Sequence, residues 1–202
     1  MTRPAFQHLA RTDVGEGGFP VSQISDVIEE PAFETGQRAE AALQAAMMNA
    51  LDTTLRPKVD GLIIIESFGL DISLFLSRGQ LTCFRQLELK AYVGGRPDGV
   101  GFGNQQGHGP QVDLLWDHRR DRPRAQDELG LLDTSIRWVM AFGLLPSGSA
   151  RYALFTCAEA QGAAMGGVRP GKQNNLRVSA LGHRLLTWQN LLREVQQFIL
   201  SS

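Results

Sequence analysis

The sequence predicts an α/β fold with a mixed central β-sheet and helices packed against it. Three observations carry the prediction: a helical stretch at 37–55, β-branched and apolar runs at 59–67, 70–77 and 81–93 separated by turn residues, and an amphipathic helical stretch at 182–200. The order helix, three strands, mixed region, two strands, helix suits a sheet covered by helices. A chain of 202 residues fits one large domain, which at that size buries roughly 70% of the surface its unfolded form exposes and needs no staple.

Residues 1–36 carry Gly15, Gly17, Gly18, Pro20 and Pro31 around one short periodic patch at 21–28, so they read as a loosely structured lead-in to a single domain at 37–202. From 37 the chain is rich in Ala, Leu and Met, and Leu43, Ala46, Met47, Ala50 and Leu51 fall on one helical face that ends before Pro57. The run V-D-G-L-I-I-I-E-S at 59–67 reads as a strand covered on both faces. Two further strands follow, with Gly69 and the S-R-G-Q stretch at 77–80 as turns. A Gly-rich segment at 94–109 leads to a short helix at 111–116 and a charged stretch at 118–124. Strands at 136–145 and 151–157 flank a P-S-G-S turn, and a second Gly-rich loop spans 162–175. The closing helix places Leu185, Leu186, Trp188, Leu191, Leu192, Val195, Phe198 and Ile199 on a broad apolar stripe.

Composition narrows the function classes. Cys83 and Cys157 each lie in an apolar run, which reads as core thiols rather than a disulfide frame or a zinc site. The first residues lack the apolar core of a signal peptide, and no apolar run approaches the roughly 20 residues of a membrane span, so a cytoplasmic location is expected. A net charge of −1 exerts no global pull on nucleic acid, so such a partner must meet a local basic surface. Lys occurs only at 58, 90 and 172, against an Arg-rich background. Lys90 therefore stands out, because a compact ammonium behaves differently from a guanidinium.

Lys90 belongs to the tripeptide Glu88-Leu89-Lys90. Strand alternation puts Glu88 and Lys90 on one face and Leu87 and Leu89 on the other. If Asp60, at the start of a neighbouring strand, lies beside Glu88, two carboxylates converge where Mg²⁺ or Mn²⁺ could bind, about 2.1 Å from each oxygen for Mg²⁺. Lys90 would then stand next to the ion and orient an attacking water. A strand-borne Glu-x-Lys also has a plain reading as a surface ion pair worth under about 1 kcal/mol.

These residues resemble the signature of the PD-(D/E)XK nuclease superfamily: an Asp, a variable gap, then acid-x-Lys on a strand. The resemblance covers roughly 37–93 and implies a restriction-endonuclease-like fold, with Asp60, Glu88 and Lys90 as catalytic residues. Several members add a metal-binding Glu from the helix before the Asp, and Glu40 is the counterpart, since its phase matches Leu43, Met47 and Leu51. The sequence departs from the pattern in having Val59 rather than Pro before Asp60, and in a 28-residue gap to Glu88 that must hold another strand. The implied activity is Mg²⁺-dependent hydrolysis of phosphodiester bonds in duplex DNA, with a homodimer suggested by two-fold cutting. The alternative is a noncatalytic nucleic-acid-binding or protein-interaction module on an α/β core.

Several loops could meet DNA. In the Gly-rich segment after the Glu-x-Lys strand, Arg96, Asn104, Gln105 and His108 are the contact groups, and glycines let backbone N–H groups approach a phosphate. Arg119 and Arg120 belong to the densest basic patch, at 118–124, and Arg169, Lys172 and Arg177 form a sparser one beside glycines and amides. Gln111 could orient substrate or simply start its helix. The stretch G-G-V-R-P-G-K-Q at 166–173 approaches a P-loop, but Gln173 replaces the Mg²⁺-binding hydroxyl. His108, His118, Asp113 and Asp117 match no zinc spacing, and no Gly-x-Ser-x-Gly elbow is present.

Overall fold

The computed structural model describes residues 37–67, 70–92, 100–102, 109–142, 150–172, 174–177, 179 and 185–201. Helix α1 (Gln37–Leu55) runs into a 3₁₀ turn at Arg56–Lys58, where Pro57 ends the α-helical pattern. Its expected apolar face is realised: Leu43, Met47, Ala50, Leu51 and Leu55 have no exposed surface.

Five strands form the central sheet: β1 (Gly61–Glu66), β2 (Ile72–Arg78), β3 (Leu81–Ala91), and then β7 (Ile136–Phe142) and β8 (Arg151–Phe155). They lie in the order β1-β2-β3-β7-β8. All pairs are antiparallel except β3 and β7, which run parallel with Glu88 opposite Trp138 and Lys90 opposite Met140. Between β3 and β7 come the three-residue β4 (Val100–Phe102), α2 (Pro110–Leu115), a hairpin of β5 (Trp116–Asp117) and β6 (Arg122–Pro123), and α3 (Gln126–Leu132). After β8 the chain forms α4 (Cys157–Ala163), β9 (Asn174–Leu176), which pairs with β4, and α5 (Trp188–Leu200).

Strand alternation splits the core in two. Ile72, Leu74, Leu76, Leu87, Leu89, Val139, Ala141 and Tyr152 meet α1 and α5 on one face. Ile136, Trp138, Met140, Ala153 and Phe155 meet α2, α3 and α4 on the other. That second layer buries residues of β7 and β8 and reaches β3 at Glu88 through Gln111, so the expectation that the 59–67 strand is covered on both faces is corrected: Ile63 and Ile65 are 60% and 42% exposed. A β-branched run marks strand propensity, not whether a helix lies above it, and β1 is an edge strand among the described residues.

Other differences are local. The last helix begins at Trp188, capped by Thr187 through Asn190 N–H, while Leu186 bridges to Tyr152 in the sheet. Cys157 is buried, and burial pushes its thiol up to about 12; Cys83 is half-buried, and both are free thiols. The short helix at 21–28, the turn at 146–149 and much of the 94–109 segment lie outside the described residues. No described helix is long and apolar enough to cross a membrane.

Candidate active site

The C-terminal half of β3 emerges at the sheet end where β2 begins, and the first turn of α1 and the start of α2 meet it there. Glu88 points into this junction and has no exposed surface. Its Oε1 accepts hydrogen bonds from Lys90 Nζ at 2.7 Å and Gln111 Nε2 at 2.9 Å. The second oxygen, Oε2, is buried and has no hydrogen-bond partner among the described residues. Lys90 Nζ also reaches Glu40 Oε1 at 3.0 Å, so the ammonium is held between a strand carboxylate and a helix carboxylate.

Asp71, the residue before β2, completes the junction. Its Oδ2 accepts the Leu89 N–H at 2.6 Å, at the middle residue of the Glu-x-Lys tripeptide, and Gln44 Nε2 donates to its carbonyl at 2.8 Å. The sequence signal for Asp71 is an acid at the start of an apolar strand, 17 positions before Glu88. The more β-branched run behind Asp60 hid it.

Asp60 does not join the site, which corrects the expected geometry. It is exposed at the other end of β1, where its Oδ2 accepts the Gly79 N–H at 2.5 Å and its N–H donates to the Ser77 carbonyl. The six residues of β1, roughly 20 Å of strand, separate it from the end where Asp71 lies. Asp60 closes the turn between β2 and β3; its side chain answers a backbone need.

The electrostatics follow from burial. The Glu88 carboxyl is pushed up to about 7, chiefly by burial, with Lys90 opposing and the charge of Asp71 adding to the rise. For Lys90, burial pulls the ammonium down, but Glu88 and then Glu40 outweigh it and hold the group above its ordinary value. Lys90 is therefore a fixed cation, and Glu88 is the group that titrates near neutrality.

Among the described residues, no group of three or more His, Cys, Asp or Glu side chains is close enough to hold a metal unaided. Mg²⁺ needs less, since one or two carboxylates usually suffice when water and a phosphate fill the other positions. Glu88, with its buried Oε2 unpartnered, and Asp71 one hydrogen bond from the same strand fit that donor set. Glu40 is committed to Lys90 and fits the role of anchoring the ammonium.

The basic patches fare differently. Arg119 and Arg120 lie on the exposed β5–β6 hairpin, where Arg120 pairs with Asp117 and Glu128, and Arg122 pairs with Glu128. Two of the four arginines of the dense patch are thus paired with acids of their own neighbourhood, and Arg124 bonds the Asp113 carbonyl. Arg169, Lys172 and Arg177 are exposed around β9 and have no ion-pair partner among the described residues. Arg96, Asn104, Gln105 and His108 lie outside the described residues. His118 bonds Asp113 at 2.7 Å on the surface, while Asp117 accepts the Arg119 and Arg120 N–H groups of its own turn. The P-loop-like stretch connects the end of α4 to β9 with no helix after it, contrary to what a P-loop requires. The chain matches no family model, no curated protein and no solved structure.

Proposed function

We propose that this protein is a metal-dependent phosphodiesterase that cuts DNA, a nuclease of PD-(D/E)XK type in which Asp71, not Asp60, supplies the leading acid. One observation carries the reading: Lys90 Nζ is held between Glu88 and Glu40 while Asp71 bonds the residue between Glu88 and Lys90. The order Asp, gap, Glu-x-Lys survives the exchange of aspartates, and the gap shortens to 17 positions.

Asp71 and Glu88 would hold Mg²⁺ or Mn²⁺, which when bound polarises a phosphoryl oxygen and acidifies a water. Gln111 fixes the Glu88 rotamer by donating to Oε1, which leaves Oε2 free to accept. Lys90, permanently charged and anchored by Glu40, orients the attacking water and stabilises negative charge on the phosphate. A noncatalytic module would keep the same residues as a structural ion-pair network, and the two readings separate experimentally.

Purified protein with Mg²⁺ or Mn²⁺ is expected to nick or linearise plasmid DNA. Asp71→Asn, Glu88→Gln and Lys90→Ala each lower the rate at least about a hundredfold, the scale of losing an electrostatic or acid–base contributor, with unfolding transitions retained. Asp60→Ala keeps the activity. Wild-type protein inert on several forms of DNA, or Asp60→Ala as inactive as Asp71→Asn, defeats the assignment.

A further inference from the structure

The sequence has two basic patches, and in the sparser one Arg169, Lys172 and Arg177 have no ion-pair partner among the described residues, whereas Arg120 and Arg122 of the denser one are paired. Arg169-Pro170-Gly171-Lys172 forms a tight turn in which Lys172 N–H donates to the Arg169 carbonyl at 3.3 Å and Gly171 has φ of 72°. Pro at the second position and Gly at the third favour such a turn, which brings its end residues within about 7 Å. Two cations are therefore set side by side by local sequence.

Asn174, 2% exposed, holds that turn from beneath. Its Oδ1 accepts the Arg169 N–H at 2.9 Å, and its Nδ2 donates to the carbonyls of Arg169 at 3.0 Å and Lys172 at 2.9 Å. A surface turn pinned by three bonds to a buried amide presents its charges at little further ordering cost. Arg177 follows β9 directly, fixed by its N–H to the Ala163 carbonyl at 2.8 Å.

Chain connectivity also bounds the distance between the ribbon and the candidate active site. Its other strand, β4, starts eight residues after Tyr92 at the end of β3 and ends seven residues before Gly109 at the start of α2. At about 3.6 Å per residue, those tethers limit the distance from β4 to the site's edge to roughly 25 Å. That is less than one helical turn of duplex DNA, roughly 34 Å.

We propose that the β4–β9 ribbon grips the phosphate backbone of duplex DNA through Arg169, Lys172 and Arg177, apart from the metal-binding carboxylates. This rests on the nuclease reading for its choice of ligand. The role is positioning: phosphate contacts set register and carry no sequence information.

The test is binding of a labelled 20-base-pair DNA duplex, followed by fluorescence anisotropy in EDTA so that nothing is cut, over a range of salt. Replacing Arg169, Lys172 and Arg177 together by Ala weakens binding at least about tenfold and lowers the slope of log affinity against log salt by about 2–3, near 0.9 per lost contact. Arg169→Lys with Lys172→Arg keeps the slope. An Arg119→Ala/Arg120→Ala/Arg122→Ala variant changes it by less than the ribbon variant does. An unchanged slope in the ribbon variant, an equal fall in the hairpin variant, or tighter binding to single-stranded DNA or duplex RNA of the same length overturns the proposal. If the wild type cuts DNA and the ribbon variant binds like it, the ribbon role fails and the nuclease reading stands. If binding depends on the ribbon but no metal supports cutting, the reverse holds.

Discussion

A carboxyl with no exposed surface, one oxygen bonded to an ammonium and an amide and the other to no described residue, holds its proton more tightly in the folded chain than in the unfolded one. For Glu88, whose carboxyl rises from 4.5 to about 7, this makes stability pH-dependent. Below 4.5 both states are protonated and the term vanishes; between 4.5 and 7 the folded chain binds more protons, so stability falls as pH rises; above 7 the penalty is constant. Gln mimics the protonated form. Glu88→Gln is thus expected to match the wild type near pH 4.5 and to exceed it by about 3 kcal/mol at pH 8 in EDTA, as read from urea unfolding. A variant no more stable than wild type at pH 8 would show that Glu88 ionises without penalty. Glu88-Leu89-Lys90 was legible in the sequence because alternation alone separates its charges from its leucines. Asp71 was not, because its choice over Asp60 depends on which end of an antiparallel strand faces the tripeptide.

Elements show the same division. Helix α1 and the amphipathic α5 announce themselves by apolar spacing, and their buried residues are largely those the period selects. Helices α3 and α4 did not stand out, because each has only seven residues, about two turns, too few to establish a period. Their starts carry a readable sign all the same: Thr156 and Glu159 form a capping box, and the Ala125 N–H donates to Glu128 Oε2. The α4 cap has a long-range part. Asp133 accepts the Cys157 N–H at 2.6 Å and the Ala158 N–H at 3.4 Å, tying the end of α3 to the first turn of α4. Asp133→Ala is expected to cost about 1–2 kcal/mol, the worth of a helix cap, and Asp133→Asn less, since an acceptor remains. Denaturant midpoints measure both. Equal losses for the two variants would point to charge rather than capping.

At the scale of the whole molecule, a ligand that binds only the folded chain stabilises it. If Asp71 and Glu88 hold the cation, Mg²⁺ at a hundredfold excess over its Kd adds about 2.7 kcal/mol, roughly 5–10 °C in Tm for a chain of this size. The shift should grow as pH rises through 7, because the metal competes with the Glu88 proton, and then level off. Asp71→Asn and Glu88→Gln abolish it; Asp60→Ala does not. A Tm indifferent to Mg²⁺ and Mn²⁺ at pH 8 would leave Glu40, Asp71, Glu88, Lys90 and Gln111 as a structural network. This measurement needs no DNA, so it tests the metal site independently of cutting and of the β4–β9 ribbon.

The sequence by itself determined the mixed α/β class, the long helices, the three strands that lead to Glu88, and the pairing of Glu88 with Lys90 on one face. These follow from periods of 3.6 and 2, which are local properties of the chain. Tertiary structure alone decided which aspartate reaches the tripeptide, that β1 is half bare, and that Arg120 and Arg122 of the dense patch are spent on Asp117 and Glu128 while Arg169, Lys172 and Arg177 have no ion-pair partner among the described residues. Each depends on sheet order, on antiparallel strand direction or on a contact between elements, none of which a local pattern encodes.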